Sequence, residues 1–386
     1  MFKGSVLVLC AYLFFINSTM TIITSFLPVY FQFKGFSGEE IGWLLAIGPF
    51  SAIIVQPLAG YFSDKWKTVK KVIIYCLVFL TLSSFLMFKI NSFFLLMIIS
   101  YVFFFFLSPL GVLGDSLAQK TAATLRIPFG SIRMWGSIGF ASTSLLTGKI
   151  LTIIGITNIL YPFLLFTISC LGIALFLSDV TLSQRPVKVF DAITLLKDKK
   201  IVFFLLIILL YAVPHRINDF YIGLYIKEIG GDEIYIGWAW FIGAIVEAFV
   251  FFTSNWWANR YRELTLILFI GILYTIRFIA LSFMSDPLSL LFLQPLHGIT
   301  FAILYASALQ YVSNIVPDYL IGTGHLLLAN VFFSISGIVG SLLGGIVFER
   351  FGGNTLYLGI GIVIFMGSLL MVPYRNRIAV KRHNAA

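Results

Sequence analysis

Residues 41–65 read IGWLLAIGPFSAIIVQPLAGYFSDK, an apolar run that ends in the charged pair Asp64-Lys65. The run is long enough to cross the hydrocarbon core of a bilayer as a helix, which takes about 20 residues. Further lysines follow it, at Lys67, Lys70 and Lys71. The stretch therefore predicts a transmembrane helix that leaves the membrane at a basic loop.

Apolar runs of similar length recur along the chain and predict twelve transmembrane helices in all. They lie at 5–33, 39–62, 70–88, 92–119, 131–154, 157–178, 199–226, 234–257, 263–284, 288–313, 320–348 and 354–374. Of the 386 residues, 60% are hydrophobic and only 11% are charged, whereas a soluble domain has about 25% charged residues. We therefore predict an all-α membrane protein.

The formal net charge of +10 at pH 7 is carried by loops and by the C-terminal tail. No basic tract lies on a soluble module, so the charge does not indicate nucleic-acid binding. The segments at 34–40 and 227–233 are acidic instead. Because basic loops stay in the cytoplasm, we predict a multi-pass protein of the cell (cytoplasmic) membrane with both termini cytoplasmic.

The two halves of the chain resemble each other. Ile41-Gly42-Trp43 followed by Gly48 recurs 195 residues later as Ile236-Gly237-Trp238 followed by Gly243, and Asn259-Arg260 stands where the first half has Asp64-Lys65. The longest polar stretch lies between the halves. We therefore predict an N-terminal six-helix bundle (1–178), a cytoplasmic middle loop (179–198) and a C-terminal six-helix bundle with a short tail (199–386), related as parallel repeats.

Gly60-Tyr-Phe-Ser-Asp64-Lys65-Trp-Lys67 closely resembles the signature motif of the major facilitator superfamily. Glycine at position 60 lets a neighbouring helix approach closely, and Asp64 can interact favourably with a helix N-terminus. The resemblance implies the major facilitator fold, two pseudo-symmetric six-helix bundles with substrate held between them near the midplane. It also implies that Gly60, Asp64 and Lys65 form a conformational latch.

Ionisable residues inside the predicted spans are candidates for the functional site, because burying a charge in lipid is expensive. The candidates are Asp115, Arg133, Arg216, Asp219, Glu247, Arg277 and His297. The alternative is that these residues form structural ion pairs. A lone histidine is as often a hydrogen-bonded core residue as a functional one.

The spacing of these residues resembles one branch of the superfamily. Asp115, Gly130 and the run Arg133-Met134-Trp135 match the lactose permease family of oligosaccharide–proton symporters. Arg277 and His297 match an arginine and a histidine of the same family. The runs around Glu247 and His297 are more similar still to the phenylpropionate permease-like branch.

The resemblance implies substrate-binding roles for Asp115 and Arg133 as a pair, and for Phe140, which occupies the position of a sugar-stacking tryptophan. A phenyl ring can stack but lacks an indole N–H. Glu247 falls about one turn after the C-terminal acid of the family, on the same helix face. We add Glu247, Arg277 and His297 to the predicted substrate-binding residues.

Three departures argue against a galactoside substrate. Gln294 and Thr300 stand where the family has a lysine and the proton-coupling glutamate, and Ser131 replaces a basic residue. Thr300 cannot titrate, so we assign proton coupling to Glu247, with Arg277 and His297 beside it. Sodium remains an alternative coupling ion.

These observations predict a secondary active transporter, a monomer that imports a small organic solute (sugar, nucleoside or aromatic acid) with protons by alternating access. The alternative is a proton-antiport efflux pump for drugs or metabolites. We expect no enzyme activity, no cofactor and no metal, because no ligand cluster, activated nucleophile or phosphate loop is found. Cys10, Cys76 and Cys170 lie in apolar runs and are expected to be core residues.

Overall fold

The computed structural model describes residues 2–178, 194–258 and 260–383, and all regular secondary structure in these ranges is helical. The first half forms α1 (Phe2–Phe33), α2 (Gly38–Lys65), α3 (Val69–Lys89), α4 (Phe93–Leu125), α5 (Phe129–Ile154) and α6 (Leu160–Ala174). The second half forms α7 (Lys199–Glu228), α8 (Glu233–Phe252), α9 (Glu263–Leu281), α10 (Gln294–Ile315), α11 (Ile321–Ala329) and α12 (Ser336–His383). Single helical turns lie at Ile156–Asn158, Ser254–Trp257, Pro287–Leu291 and Asp318–Leu320, and a π-helix over Asn330–Ile335 joins α11 to α12.

The local sequence explains where several helices begin. Before α2, the Ser37 hydroxyl accepts a hydrogen bond from the Glu40 N–H, and the Glu40 carboxylate accepts one from the Ser37 N–H. This reciprocal capping box satisfies two backbone donors that the helix itself leaves unpaired. Thr68 and Asp198 cap α3 and α7 in one direction only, because their side-chain oxygens accept hydrogen bonds from the N–H groups of Lys71 and Lys200.

The described residues contain eleven helices long and apolar enough to cross a membrane, the last running over Ile321–Asn376 for 56 residues. At about 1.5 Å per residue, a helix of that length is far too long for a single crossing of a bilayer core about 30 Å thick. Gly352 breaks it, because its backbone has a φ of 77°, which glycine adopts without strain. The predicted all-α membrane fold is thereby confirmed, and its twelve crossings agree with eleven helices of which the last is broken in two.

The two ends of the helices differ in charge. One end, which we call the acidic end, carries Glu39, Glu40, Glu228, Asp232 and Glu233, and the other, the basic end, carries Lys65, Lys67, Lys70 and Lys71. Successive crossings run in alternating directions, so α2 and α8 both start at the acidic end.

At the acidic end, the two halves pack together through glycines. A Cβ built on Gly42 of α2 would lie 2.6 Å from the carbonyl oxygen of Ser341 in α12, and one on Gly237 of α8 would lie 2.6 Å from that of Ser144 in α5. No side chain fits at these distances, so the backbones meet directly. Gly42 and Gly237 are the glycines of the 195-residue repeat, which therefore marks equivalent contacts between the halves.

A second pair of contacts lies one turn closer to the acidic end. A Cβ on Gly148 of α5 would lie 2.6 Å from the carbonyl oxygen of Glu233, and one on Gly345 of α12 would lie even closer to the carbonyl oxygen of Gly38. Small residues allow this approach in membrane helices, where close van der Waals packing drives association. We call these four positions, Gly42, Gly148, Gly237 and Gly345, the glycine contacts.

The predicted middle loop (179–198) cannot be described as a unit, because residues 179–193 lie outside the described residues. On either side of these residues, α6 ends at Ala174 and α7 begins at Lys199. The division into 1–178, 179–198 and 199–386 stays a prediction. Asn259 of the second-half motif also lies outside the described residues.

Candidate functional site

A cavity of about 140 Å³ lies between the two halves of the chain. Residues of both halves line it: Asn17, Arg133, Ser137, Phe140, Trp240, Ala244, Glu247 and His297. A cavity of about 150 Å³ accommodates a benzene ring, so the space suits a solute of about one ring. A concave space with a few converging polar groups is typical of a ligand site.

Two helix faces form most of the wall. On α5, Arg133, Ser137 and Phe140 are spaced by four and three residues, and on α8 Trp240, Ala244 and Glu247 have the same spacing. Residues at this spacing share one face of an α-helix. Each helix therefore presents one aromatic residue, one small residue and one charged residue to the cavity.

The two faces run antiparallel, so the aromatic residues lie opposite each other at one end and the charged residues at the other. The rings of Phe140 and Trp240 meet edge to face with their centroids 5.7 Å apart. One turn closer to the acidic end, the Ser144 hydroxyl donates a hydrogen bond of 3.2 Å to the carbonyl of Gly237. The aromatic pair therefore closes the cavity below the glycine contacts, and the charged residues Arg133 and Glu247 lie towards the basic end.

The charged end of the cavity holds one compensated and one uncompensated charge. Arg133 Nε lies 2.9 Å from an Asp115 carboxylate oxygen, and both side chains are partly exposed. Glu247 has no hydrogen-bond or ion-pair partner among the described residues. An ionised carboxylate is costly in a membrane interior, so Glu247 is the group whose charge matters most for binding.

Near the aromatic end of the cavity, two polar groups lack partners. Trp240 is 8% exposed, and its indole N–H and the Nδ1 of His297 have no hydrogen-bond partner within the described part of the chain. The His297 ring meets Trp240 edge to face at 5.9 Å. Buried polar groups are almost always hydrogen-bonded in proteins, so each of these two atoms leaves a hydrogen bond unmet in a residue that lines the cavity.

Arg277 lies behind the cavity wall, which it does not line. It is completely buried in the second half and donates hydrogen bonds to Asn218 at 3.2 Å, to Gln294 at 3.4 Å and to the Leu293 carbonyl at 3.4 Å. These acceptors are uncharged, and the guanidinium also stacks on the Phe278 ring. The predicted direct contact of Arg277 with substrate is therefore not supported by its position.

Three metal-ligating side chains meet in the second half, although the sequence predicted no ligand cluster. Ligand atoms of His215, Asp219 and His297, all buried, lie within 4.8 Å of one another. However, the two imidazole rings stack almost parallel at 5.3 Å, so their nitrogen lone pairs do not converge on one point. Asp219 is also bound to Arg216 at 2.7 Å. The arrangement does not match the tetrahedral geometry of a structural metal site.

The residues of the predicted latch make no close contact in this conformation. A Cβ on Gly60 would meet nothing within 4 Å, and Asp64 and Lys65 are exposed. Neither forms an ion pair with another described residue; the Lys65 ammonium lies 5.9 Å from the Tyr61 ring centroid. The expected close helix approach at Gly60 is therefore absent here, because the two halves meet at the opposite, acidic end.

Of the six predicted substrate-binding residues, the structure brings Arg133, Phe140, Glu247 and His297 together around the cavity. Asp115 is held beside it through Arg133. Sequence reasoning missed four lining residues: Asn17, Ser137, Trp240 and Ala244. The helical spacing from Arg133 and from Glu247 could have indicated three of them, whereas Asn17 lies on a helix with no charged residue in its span.

Comparison with known proteins agrees with this architecture. The model of the MFS_1 like family matches residues 6–359. The chain is 26% identical over 359 residues to the maltose permease of Geobacillus stearothermophilus, covering 91% of this chain and 90% of that protein. It is also 26% identical over 224 residues to the probable 3-phenylpropionic acid transporter of Escherichia coli (strain K12), covering 56% and 58%.

A crystal structure of a mutant of the nucleoside transporter NupG has the same fold. The TM-score is 0.88 at 17% identity, over 96% of this chain and 99% of that chain. The predicted resemblance to sugar and phenylpropionate permeases of the major facilitator superfamily is confirmed by these matches. The chain therefore belongs to the MFS_1 like family and is a major facilitator transporter.

Proposed function

We propose that the chain is a proton-coupled symporter that imports a small organic solute by alternating access, as a monomer in the cell membrane with both termini cytoplasmic. The observation that carries the proposal is the cavity lined by α5 of one half and α8 of the other. A solute bound there contacts both halves, so rocking one against the other changes the side from which it is accessible.

The charges around the cavity favour an uncharged solute. Arg133 is already paired with Asp115, and Arg277 is buried away from the cavity among neutral acceptors. Glu247 repels a carboxylate when it is ionised, and when it is protonated it offers the carboxylate no opposite charge. Among the predicted classes, a sugar or a nucleoside therefore fits better than an aromatic acid. Two similar proteins carry names of this kind, a maltose permease and a putative nucleoside transporter.

We assign proton coupling to Glu247. Enclosing an unpaired carboxylate in the membrane is costly when it is charged, and binding a proton removes that cost. Closure around the solute is then favoured only when Glu247 is protonated. The movement of the solute is thereby coupled to the movement of a proton. Sodium could neutralise the same carboxylate, but Arg133 lines the cavity with Glu247, and the positive charge of a guanidinium disfavours a bound cation nearby.

The alternation itself involves both ends of the molecule. With the acidic end outside, the glycine contacts close the extracellular side, and the free latch residues Gly60, Asp64 and Lys65 leave the cytoplasmic side open. In the opposite state, the latch residues would engage and the glycine contacts would part. Arg277 supports the wall of the second half from behind in both states, and His297 forms part of that wall beside Glu247 and Trp240.

The Glu247→Gln variant tests the coupling. In proteoliposomes with equal solute concentrations on both sides, we expect the variant to exchange labelled for unlabelled solute, because glutamine mimics the protonated acid. It should fail to accumulate solute when an inward proton gradient is applied, and solute addition should no longer cause proton uptake in a lightly buffered suspension. Proton uptake equal to that of the wild type would overturn the assignment.

The efflux alternative has one observation in its favour, since an unpaired Glu247 would attract a cationic drug or metabolite. Direction separates the two functions. A symporter accumulates solute in right-side-out vesicles when the outside is acidified, whereas a proton-antiport pump accumulates its cation in inverted vesicles that are acidic inside. Accumulation in the inverted vesicles alone would show that the protein is an efflux pump and not a symporter.

A further inference from the structure

We propose that Trp240 is a substrate-binding residue, which donates a hydrogen bond from its indole N–H to an acceptor atom of an uncharged ring-shaped solute. The proposal rests on the proposed function only in taking the cavity as the solute site. It assigns the aromatic contact with the solute to the second half of the chain, whereas the sequence resemblance implies a contact with Phe140 of the first half.

The position of Trp240 carries the first part of this inference. The residue is 8% exposed and lines the cavity, and its N–H has no partner among the described residues. A buried N–H without a partner loses the hydrogen bond that it would make in water. A solute acceptor in the cavity would make up for this loss, so the tryptophan favours ligands that supply one.

The neighbours of Trp240 restrict the orientation of its indole ring. Phe140 contacts the indole ring edge to face at 5.7 Å from across the boundary between the halves, and His297 does so at 5.9 Å from α10. With two rings packed against it, the indole cannot turn freely. A preorganised donor loses little entropy on binding, which makes it selective for the position of the acceptor.

The distance along α8 sets an upper limit on the length of the solute. Trp240 and Glu247 are seven residues apart, which corresponds to about 10 Å along a helix axis. Between them, Ala244 contributes only a methyl group to the wall and leaves room for a ring. The site therefore suits a solute with an acceptor at one end, facing Trp240, and an uncharged donor such as a hydroxyl at the other, facing Glu247.

The charge pattern restricts the chemical class further. A carboxylate at the Trp240 end would meet one neutral donor, and at the other end it would meet Glu247 with Arg133 already occupied by Asp115. A neutral hydroxylated ring satisfies both ends without burying a charge. The inferred class is therefore uncharged polyhydroxylated rings, such as short sugars and nucleosides, and not aromatic acids.

A binding measurement in detergent tests the inference without requiring transport. The purified protein is screened by thermal shift against a set of neutral mono- and disaccharides, nucleosides, and aromatic acids including 3-phenylpropionate. We expect at least one neutral ring solute to raise the melting temperature and no aromatic acid to do so. Stabilisation by acids alone, or by no neutral solute at millimolar concentration, would overturn the inferred class.

The Trp240→Phe variant tests the residue, because it keeps an aromatic ring and removes only the N–H. We expect the apparent Kd of the stabilising solute to rise about tenfold, the effect of losing one hydrogen bond. Trp238→Phe is the matched control, because Trp238 lies on the same helix but is 41% exposed on another face. Its Kd should match that of the wild type.

Deoxy analogues distinguish a hydrogen bond from a packing role. The solute that lacks the acceptor facing Trp240 should bind the wild type and Trp240→Phe equally, whereas analogues lacking other hydroxyls should still discriminate between them. An unchanged Kd in Trp240→Phe, or an equal loss for every analogue, would overturn the proposal. Binding that passes these tests in a protein that fails to move the solute across vesicles would instead contradict the proposed transport function.

Discussion

At the scale of single residues, the pairing of Arg133 with Asp115 determines which charges a solute meets. The pair leaves the guanidinium with less capacity to bind an anion, while the carboxylate of Glu247 stays unpaired among the described residues. A guanidinium binds a carboxylate most strongly through two parallel hydrogen bonds. The identity of residue 115 should therefore control whether the cavity accepts acids.

The Asp115→Asn variant tests this role. Removing the carboxylate frees Arg133, so we expect 3-phenylpropionate to stabilise the variant against heat, by about 3 kcal/mol at a hundredfold excess over Kd. Wild type and the control Asp115→Glu, which keeps the carboxylate, should show no such shift in the same assay. Equal stabilisation of all three proteins, or of none, would contradict the assignment.

Sequence reasoning identified some site residues and not others for a physical reason. Arg133, Glu247 and His297 are recognisable because a polar or ionisable group inside an apolar run is rare and expensive. Trp240 and Ser137 carry no such signal, because both residue types are common in membrane helices. Their significance comes from the register between α5 and α8, which only the folded chain defines.

At the scale of elements, the close contact of α5 and α8 depends on glycine at position 237. A Cβ there would lie 2.6 Å from the Ser144 carbonyl oxygen, so a larger side chain forces the helices apart at the acidic end. Overpacking of this kind costs about 1–3 kcal/mol. Only the arrangement closed at the acidic end bears this cost, because in the proposed opposite state the two helices separate there.

We therefore expect Gly237→Val to shift the protein towards opening at the acidic end. Spin labels at Asn91→Cys and Ser285→Cys, both exposed positions at that end of different halves, would report a longer distance. Gly172→Val is the control, since a Cβ at Gly172 meets nothing within 4 Å. The same distance distribution in Gly237→Val and in Gly172→Val would refute the wedge argument.

Helix boundaries were predictable to within a few residues wherever a cap or a charge marks them, as at Ser37 before α2. The π-helix over Asn330–Ile335 was not, although it lies inside the predicted span 320–348. A π-helical turn adds one residue to a helix without changing its hydropathy, so composition carries no trace of it. The break near Gly352 was expected, because a gap separated the last two predicted spans.

At the scale of the whole molecule, the closure of the acidic end includes charged contacts as well as glycines. Arg350 of α12 binds Glu39 of α2 at 2.8 Å, and the neighbouring Glu349 accepts a hydrogen bond from the backbone N–H of Gly38. A carboxylate at a helix N-terminus is favoured by the helix dipole. In the proposed alternation, these contacts join the two halves only when the acidic end is closed.

The Arg350→Gln variant should weaken this closure. The ion pair is exposed and contributes about 0–1 kcal/mol, so we expect a shift towards the open arrangement of up to about fivefold. The same spin-label pair measures it, and the wild-type distances should move in the same direction at high salt. Lys89→Gln removes an exposed cation at the same end that bridges no described residue, and it should leave the distances unchanged.

The glycine contacts also bear on how the transporter responds to voltage. A membrane potential does work only on charge that moves through the field, about 2.3 kcal/mol per elementary charge per 100 mV. The glycine contacts are made by neutral backbone, and Arg133 and Asp115 move as a pair without net charge. We therefore expect exchange of a neutral solute with Glu247 protonated throughout to be indifferent to voltage. The voltage should act only on the return step, in which Glu247 is charged and water replaces the solute in the cavity and hydrogen-bonds the carboxylate.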